Sequence, residues 1–233
     1  MKTLRNSTIV AAALTVCAMM TASPASAGQR ETEQFDRRVP LHSGGRLKLN
    51  NFSGRVTITG GDSNEVVIHA IRHGSRDRLD HIKIDVQSDA DEVSIEANRQ
   101  DSGWRDRNNN VVETEFDIQV PRETELDVRV FSSRIEVSGV SGSQKLHAFS
   151  GDLRVADATG PMDAETFSGD IDVAFKGTPN GRLDFDSFSG RINSSRPIMT
   201  HSSSRRSRME GELGSGGDMR FRFKTFSGDV TLR

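Results

Sequence analysis

Phe149-Ser150-Gly151-Asp152-Leu153 and Phe167-Ser168-Gly169-Asp170-Ile171 are near copies of one phrase, 18 residues apart. The phrase recurs as Phe52-Ser53-Gly54-Arg55-Val56, Phe131-Ser132-Ser133-Arg134-Ile135, Phe188-Ser189-Gly190-Arg191-Ile192 and Phe226-Ser227-Gly228-Asp229-Val230. From Phe131 the steps are 18, 18, 21 and 38 residues. A fixed period of this size marks a chain built from stacked structural repeats. The last step spans about two periods, so it hides a degenerate turn or an excursion.

The flanks repeat with the phrase. Leu126 and Val128, Gln144 and Leu146, Met162 and Ala164, Leu183 and Phe185, and Phe221 and Phe223 stand five and three residues before each Phe. Ile135 and Val137, Leu153 and Val155, Ile171 and Val173, and Val230 and Leu232 follow at four and six residues. Alternation of this kind is a strand with one buried face. The buried parity is odd before the Phe and even after it, so the Ser-Gly step must be a bend or bulge. Turn-forming clusters close each repeat at Gly139 to Gly142, Thr159-Gly160-Pro161 and Lys176 to Gly181. Two short strands and two corners use about 18–21 residues, one turn of an all-β, β-helix-like solenoid whose rungs stack at roughly 4.8 Å.

In register, consecutive rungs set Arg134 beside Asp152, Glu136 beside Arg154, Arg154 beside Asp172 and Asp170 beside Arg191, with Asp152–Asp170 as a like-charge pair. Residues 28–125 follow a looser plan. Leu47, Leu49, Val56 and Ile58 carry the pattern once. Val66 to Ile71, Ile82 to Val86, Val93 to Ala97 and Val111 to Val120 read as longer strands that continue or cap the stack, and Asp101 to Asn110, with Trp104, as a polar loop.

Lys2 and Arg5, an apolar run from Ile9 to Met20, Pro24 and Ala25-Ser26-Ala27 form a secretory signal peptide, cleaved after Ala27. The apolar run is too short to span a bilayer, which takes roughly 20 residues. Cys17 follows Val16, which is not the small residue a lipoprotein signal requires. Since Cys17 is the one cysteine, no intramolecular disulfide forms. The expected organisation is residues 1–27 as leader and 28–233 as a single all-β domain, with 28–125 its longer-stranded part and 126–233 the repeat solenoid. No later apolar stretch reaches membrane length, so a periplasmic or extracellular chain without a transmembrane anchor is expected. With 31 Lys+Arg against 33 Asp+Glu, the chain lacks the basic excess of a nucleic-acid binder.

The phrase, with its strands on either side, resembles the bacterial "putative adhesin" family of β-strand-repeat domains of unknown function. The likeness runs from about Phe35 to Arg233, through Gly45 to Asn50, Val120-Pro121 and Gly211 to Gly217. It implies an extracytoplasmic β-helix-like fold and an adhesin-like role, supplies no catalytic residues, and favours a loop excursion near 196–218.

Phe131, Phe149, Phe167, Phe188 and Phe226 are the candidate partner-binding residues. Stacked rungs would align them in a column at the corner, either tucked in as scaffold or exposed as a binding stripe. One Asp per rung, replaced by Arg in three copies, does not supply the six to eight oxygens calcium takes. His69, His73 and His81 lack the spacing of converging metal ligands. No metal or other cofactor is therefore expected. His201 and the basic run Ser202 to Arg208 read as a solvated loop. The strand before Arg233 is expected to end the stack with an uncovered edge open to self-association. The reading is a non-enzymatic, exported adhesin-like binding or scaffold module, its partner an envelope or surface protein or polysaccharide. A self-associating structural solenoid is the alternative, and a carbohydrate-active β-helix enzyme with paired carboxylates the lesser one.

Overall fold

The computed structural model describes residues 30–104, 111–205 and 207–233, with backbone alone at 202–205. The leader, Cys17 and part of both polar loops lie outside them. Among the described residues the strands are β1 (Glu31–Pro40), β2 (Arg46–Gly61), β3 (Glu65–Gly74), β4 (Ile82–Ser88), β5 (Glu92–Gln100), β6 (Glu113–Pro121), β7 (Glu125–Ser138), β8 (Gln144–Ser150), β9 (Leu153–Ala158) and β10 (Met162–Ser168). There follow β11 (Ile171–Phe175), β12 (Gly181–Ser187), β13 (Ile192–Ser194), β14 (Ile198–Arg205), β15 (Arg208–Leu213), β16 (Met219–Ser227) and β17 (Val230–Leu232). One short helix, α1 (Arg76–His81), lies between β3 and β4.

Each Phe-Ser-Gly phrase is a corner between two arms of one rung. The strand before it (β8, β10, β12, β16) and the strand after it (β9, β11, β13, β17) both turn their apolar residues into one core that extends from Val39 to Leu232. The parity change is what permits this, because a bend that shifts the alternation by one residue brings both inner faces to the same side. The first two phrases bend without a break: β2 and β7 run through the corner as continuous strands. Ser133, in the glycine column, is buried inside β7 and lies beside Gly54 in register. Asn51 Nδ2 donates to the carbonyl of Thr114 (3.0 Å). The corner there is filled.

Rungs pair in parallel and in register. Leu153 lies on Ile135 and Ile171 on Leu153. The order departs from the chain at one place. The final rung, β16–β17, sits between β10–β11 and β12–β13: Ile171 pairs with Val230, and Val230 with Ile192. Asp170 is therefore not beside Arg191. Its neighbour is Asp229, whose neighbour in turn is Arg191. The expected pairs Arg134–Asp152 (3.4 Å) and Glu136–Arg154 (3.9 Å) do form.

The insertion explains the 38-residue step. The segment near 196–218 is not a loose loop; it is largely a β14–β15 hairpin whose second strand pairs antiparallel with β12. That hairpin covers the outer edge of β12, and the chain then returns to fill the gap between two rungs already laid down. The strand before Arg233 is consequently paired on both sides, and its arm of the stack ends instead at β13, which among the described residues pairs only with β17. Three residues long, with Ile192 half-buried, β13 is a short edge of the kind that resists sheet-to-sheet pairing.

At the other end β2 carries β5 and β6 as its neighbouring rung. Here the pairing turns antiparallel: β4 covers β5, and β3 links β6 to β1. Inner columns mix sizes, as at Leu146, Ala164, Phe223 and Phe185, so that small residues make room for the rings beside them.

Candidate functional site

The outer corner carries a ladder of six phenylalanine rings. In spatial order they are Phe52, Phe131, Phe149, Phe167, Phe226 and Phe188, with centroids 4.7, 4.8, 4.9, 4.6 and 4.7 Å apart. The planes are within 17° of parallel at the first contact and within 7° beyond it. Strand spacing sets this distance, so register alone forces face-to-face stacking. The rings are both scaffold and surface. They pack on one another, yet five are 42–48% exposed and Phe188 is 75% exposed. Apart from the two ends of the row, solvent meets ring edges, since each face is covered by the next ring. All five residues singled out from the sequence are in the row. Phe52 completes it, and its copy of the phrase was the available signal.

The corner beneath the rings is held by three devices. The residue before each Phe points inward and is small or polar: Val130, Ala148, Thr166, Thr225 and Ser187 are buried. Thr225 Oγ1 lies 2.9 Å from both Ser187 Oγ and the Gly228 carbonyl, and Thr166 Oγ1 donates to the Gly151 carbonyl (3.2 Å). The glycines form a second column. Gly151, Gly169 and Gly228 have φ of 152°, 148° and 146°. A Cβ on each would strike the carbonyl of the residue stacked on it, namely Ser133, Gly151 and Gly169. At these three positions, where φ is positive, only a residue without Cβ lets the rungs meet; Ser133, at the same level of its own rung, does not take a positive φ.

The aspartates form the third column, with a role that sequence reasoning missed. Asp152 Oδ1 accepts from the backbone N–H of Asp170 (3.3 Å). Asp170 Oδ1 accepts from Asp229 N–H (2.8 Å), and Asp229 Oδ1 from Arg191 N–H (2.8 Å). Each carboxylate therefore satisfies a bend amide of the next rung, and the like-charge stacking of Asp152 on Asp170 is offset by charge-assisted bonds. The row ends at Arg191 because the described chain places no further rung there.

The histidines do not converge. His69 lies 2.6 Å from Asp36 and His73 3.1 Å from Thr32 Oγ1. His81 lies between Asp77 (3.7 Å) and Asp101 (3.5 Å), its ring stacked on Trp104 at 5.3 Å. Among the described residues no three His, Cys, Asp or Glu side chains form a metal-binding group. No helix among them is long and apolar enough to cross a membrane. On the outer face of β7, β9 and β11 a groove of about 430 Å³ is lined by Glu136, Arg154, Asp172 and Arg233 among others. Its carboxylates are taken up by arginines: Glu136 by Arg154, and Asp172 by Arg233.

Residues 113–233 match the Toastrack DUF4097 family, and the chain belongs to it. Among solved structures, a "putative cell adhesion protein" from Clostridium sporogenes is 13% identical and superposes with a TM-score of 0.51 over 86% of this chain and 99% of that one. A "putative adhesin" from Bacteroides fragilis (11% identity, 86% of this chain, 97% of that one) and a "putative lipid binding protein" from Parabacteroides distasonis (13%, 89% and 98%) both reach a TM-score of 0.28. The Clostridium likeness supports the solenoid fold; the other two overlap too loosely to bear on it. No curated protein matches the chain.

Proposed function

We propose that the protein is a non-enzymatic binding or scaffold module of the cell envelope, exported through a leader cleaved after Ala27, with residues 28–233 as one all-β domain. Its contact surface is the phenylalanine ladder. The observation that carries this reading is six rings in one unbroken exposed row. Scattered exposed apolar residues are ordinary on a protein surface, whereas contiguous ones mark contact sites. The name of the Clostridium sporogenes structure, a "putative cell adhesion protein", agrees with it.

The double variant Phe149→Ser/Phe167→Ser tests it. Used as bait on native envelope extract, the variant is expected to lose the component that the unaltered protein retains, while its circular dichroism and cooperative melting persist. Retention of the same component by the variant would refute the reading. Loss of the fold would return the rings to a purely structural role.

A further inference from the structure

We propose that the ladder docks against the ladder of a second copy of this chain, in antiparallel orientation about a two-fold axis between Phe131 and Phe149. The proposal rests on the reading of the ladder as a contact surface and names its partner. The column three residues after each Phe runs Arg55, Arg134, Asp152, Asp170 in spatial order. Two positive charges followed by two negative ones are their own complement when reversed. Turned about that axis, Arg134 faces Asp152 of the second copy, and Arg55 faces its Asp170. The column on the other flank, two residues before each Phe, sets Asn50 against Glu165 and Arg129 against His147 of the second copy. A parallel arrangement instead brings Arg129 against Arg134 and Glu165 against Asp170, and offsets these like charges only at Lys224–Asp229 and Asp186–Arg191, so it has no net complementarity, whereas the antiparallel register sets no two full like charges together. Like-charge juxtaposition across an interface is strongly disfavoured.

Ring geometry and charge count against other occupants. A sugar stacks on ring faces, and these are covered by neighbouring rings except at the ends of the row. A lipid surface would have to take up the carboxylates of Asp152, Asp170 and Asp229 beside the rings, at a cost in desolvation. A second ladder offers edges to edges along a straight row and a second arginine to Asp152, already beside Arg134 of its own chain, and to Asp170. Phe52, Phe131, Phe149 and Phe167 overlap in this register, and Phe226 and Phe188 overhang. The four overlapping rings are 42–48% exposed. Together they present roughly 300–500 Å² of ring surface per copy. With the flanking charges, that makes an interface at the low end of the specific range, near 1,200 Å² in total. A weak, reversible dimer is expected, loosening further as salt screens the flanks.

Protein produced from the full chain is examined by analytical ultracentrifugation from about 1 to 100 μM. Two further chains, Phe131→Cys and Phe149→Cys, each with Cys17→Ala, are mixed and oxidised. The expected results are a reversible dimer that 0.5 M salt weakens severalfold, and a 131–149 disulfide that forms at least fivefold faster than 131–131 or 149–149. A strict monomer, a predominance of 131–131 and 149–149 links, or monomers that co-sediment with phosphatidylcholine vesicles would each overturn the proposal. If the chain is monomeric while Phe149→Ser/Phe167→Ser still abolishes envelope capture, this inference fails and the binding-module reading stands. A dimer with the 131–149 link, alongside envelope capture indifferent to the double variant, upholds the ladder dimer and removes the envelope partner.

Discussion

Rungs from Phe131 onward and strands before Pro121 close the same core by different pairings. In the later part, outside the β14–β15 hairpin, strands stack in parallel and residues meet their counterparts: Phe167 on Phe149, Gly169 on Gly151, Asp170 on Asp152. In the earlier part β3 runs antiparallel between β1 and β6, and β4 antiparallel to β5, so each residue meets an unrelated one. Parallel stacking makes one steric or polar requirement recur at every level, and the chain meets it with the same residue each time. Antiparallel pairing poses a separate problem at each contact and is solved piecemeal, as by Arg72. Buried on β3, that side chain donates from Nη1 to Glu33 (2.5 Å) and from Nη2 to the Ile82 carbonyl.

The contrast predicts that the stacked part is brittle at its repeated positions. Gly169→Ala is expected to lose about 3 kcal/mol or more, because φ of 148° strains an L-residue and the new Cβ meets the Gly151 carbonyl. Gly61→Ala, where the nearest atom is the Val120 carbonyl oxygen at 4.0 Å, should change stability by no more than about 0.5 kcal/mol. Urea unfolding of both variants checks this. Equal losses would mean that the Phe-Ser-Gly corner relaxes freely and that its glycine is not required by stacking.

The bend and both inner columns were legible in the sequence because parity and spacing recur. The rung order was not, since repetition says which segments are alike and not which one lies next to which. A charge pattern did hold that order. Four residues before each Phe stand Lys48, Asp127, Lys145, Asp163, Asp184 and Arg222 in chain order, which sets two aspartates side by side. With the last rung inserted, the spatial order becomes Lys48, Asp127, Lys145, Asp163, Arg222, Asp184, a strict alternation. Arg222 lies 3.9 Å from Asp163, and one column over Lys224 lies 2.8 Å from Glu165. Exposed pairs contribute roughly 0.2–1 kcal/mol each, so alternation selects register more than it adds stability. The ladder was readable as a column, but its exposure was not, because a corner position has no parity of its own. The roles of Asp152, Asp170 and Asp229 were hidden because their partners are backbone amides, which no side-chain pattern reports.

The earlier part should instead tolerate exchange at its singular contacts, provided that volume is kept. Arg72 leaves its Nε buried without a partner, so its charge is incompletely used. Arg72→Ala is expected to lose about 2 kcal/mol or more, from the cavity and the orphaned Ile82 carbonyl. Arg72→Met keeps the volume of the stem and so removes the cavity part of that loss; it should lose about half as much, because Glu33, left without its partner, is itself part-exposed and can be solvated. Thermal or urea unfolding of the two variants separates packing from charge. Equal losses would place Arg72 with the irreplaceable positions of the stack and erase the contrast.

The smallest effect concerns a device that both regions share, a carboxylate accepting a backbone N–H. In the stack Asp170 reaches the next rung, whereas between β4 and β5 Asp89 reaches its own turn, accepting from the amides of Asp91 (2.9 Å) and Glu92 (2.8 Å). Those two bonds hold its carboxyl below the ordinary value. A folded pKa below the unfolded one contributes stability that is present above the unfolded pKa, near 4, and is lost as pH falls through the folded pKa. Asp89→Asn should therefore lower the melting temperature slightly at neutral pH, and the difference from the unaltered protein should close as pH drops below about 4. A difference that persists at pH 2–3 would assign the effect to turn geometry rather than charge. Melting Asp170→Ala at neutral pH separates the two uses of the device: the amide that Asp170 Oδ1 caps belongs to the adjoining rung, so loss of that acceptor should appear as broadened, less cooperative melting in addition to a lower midpoint.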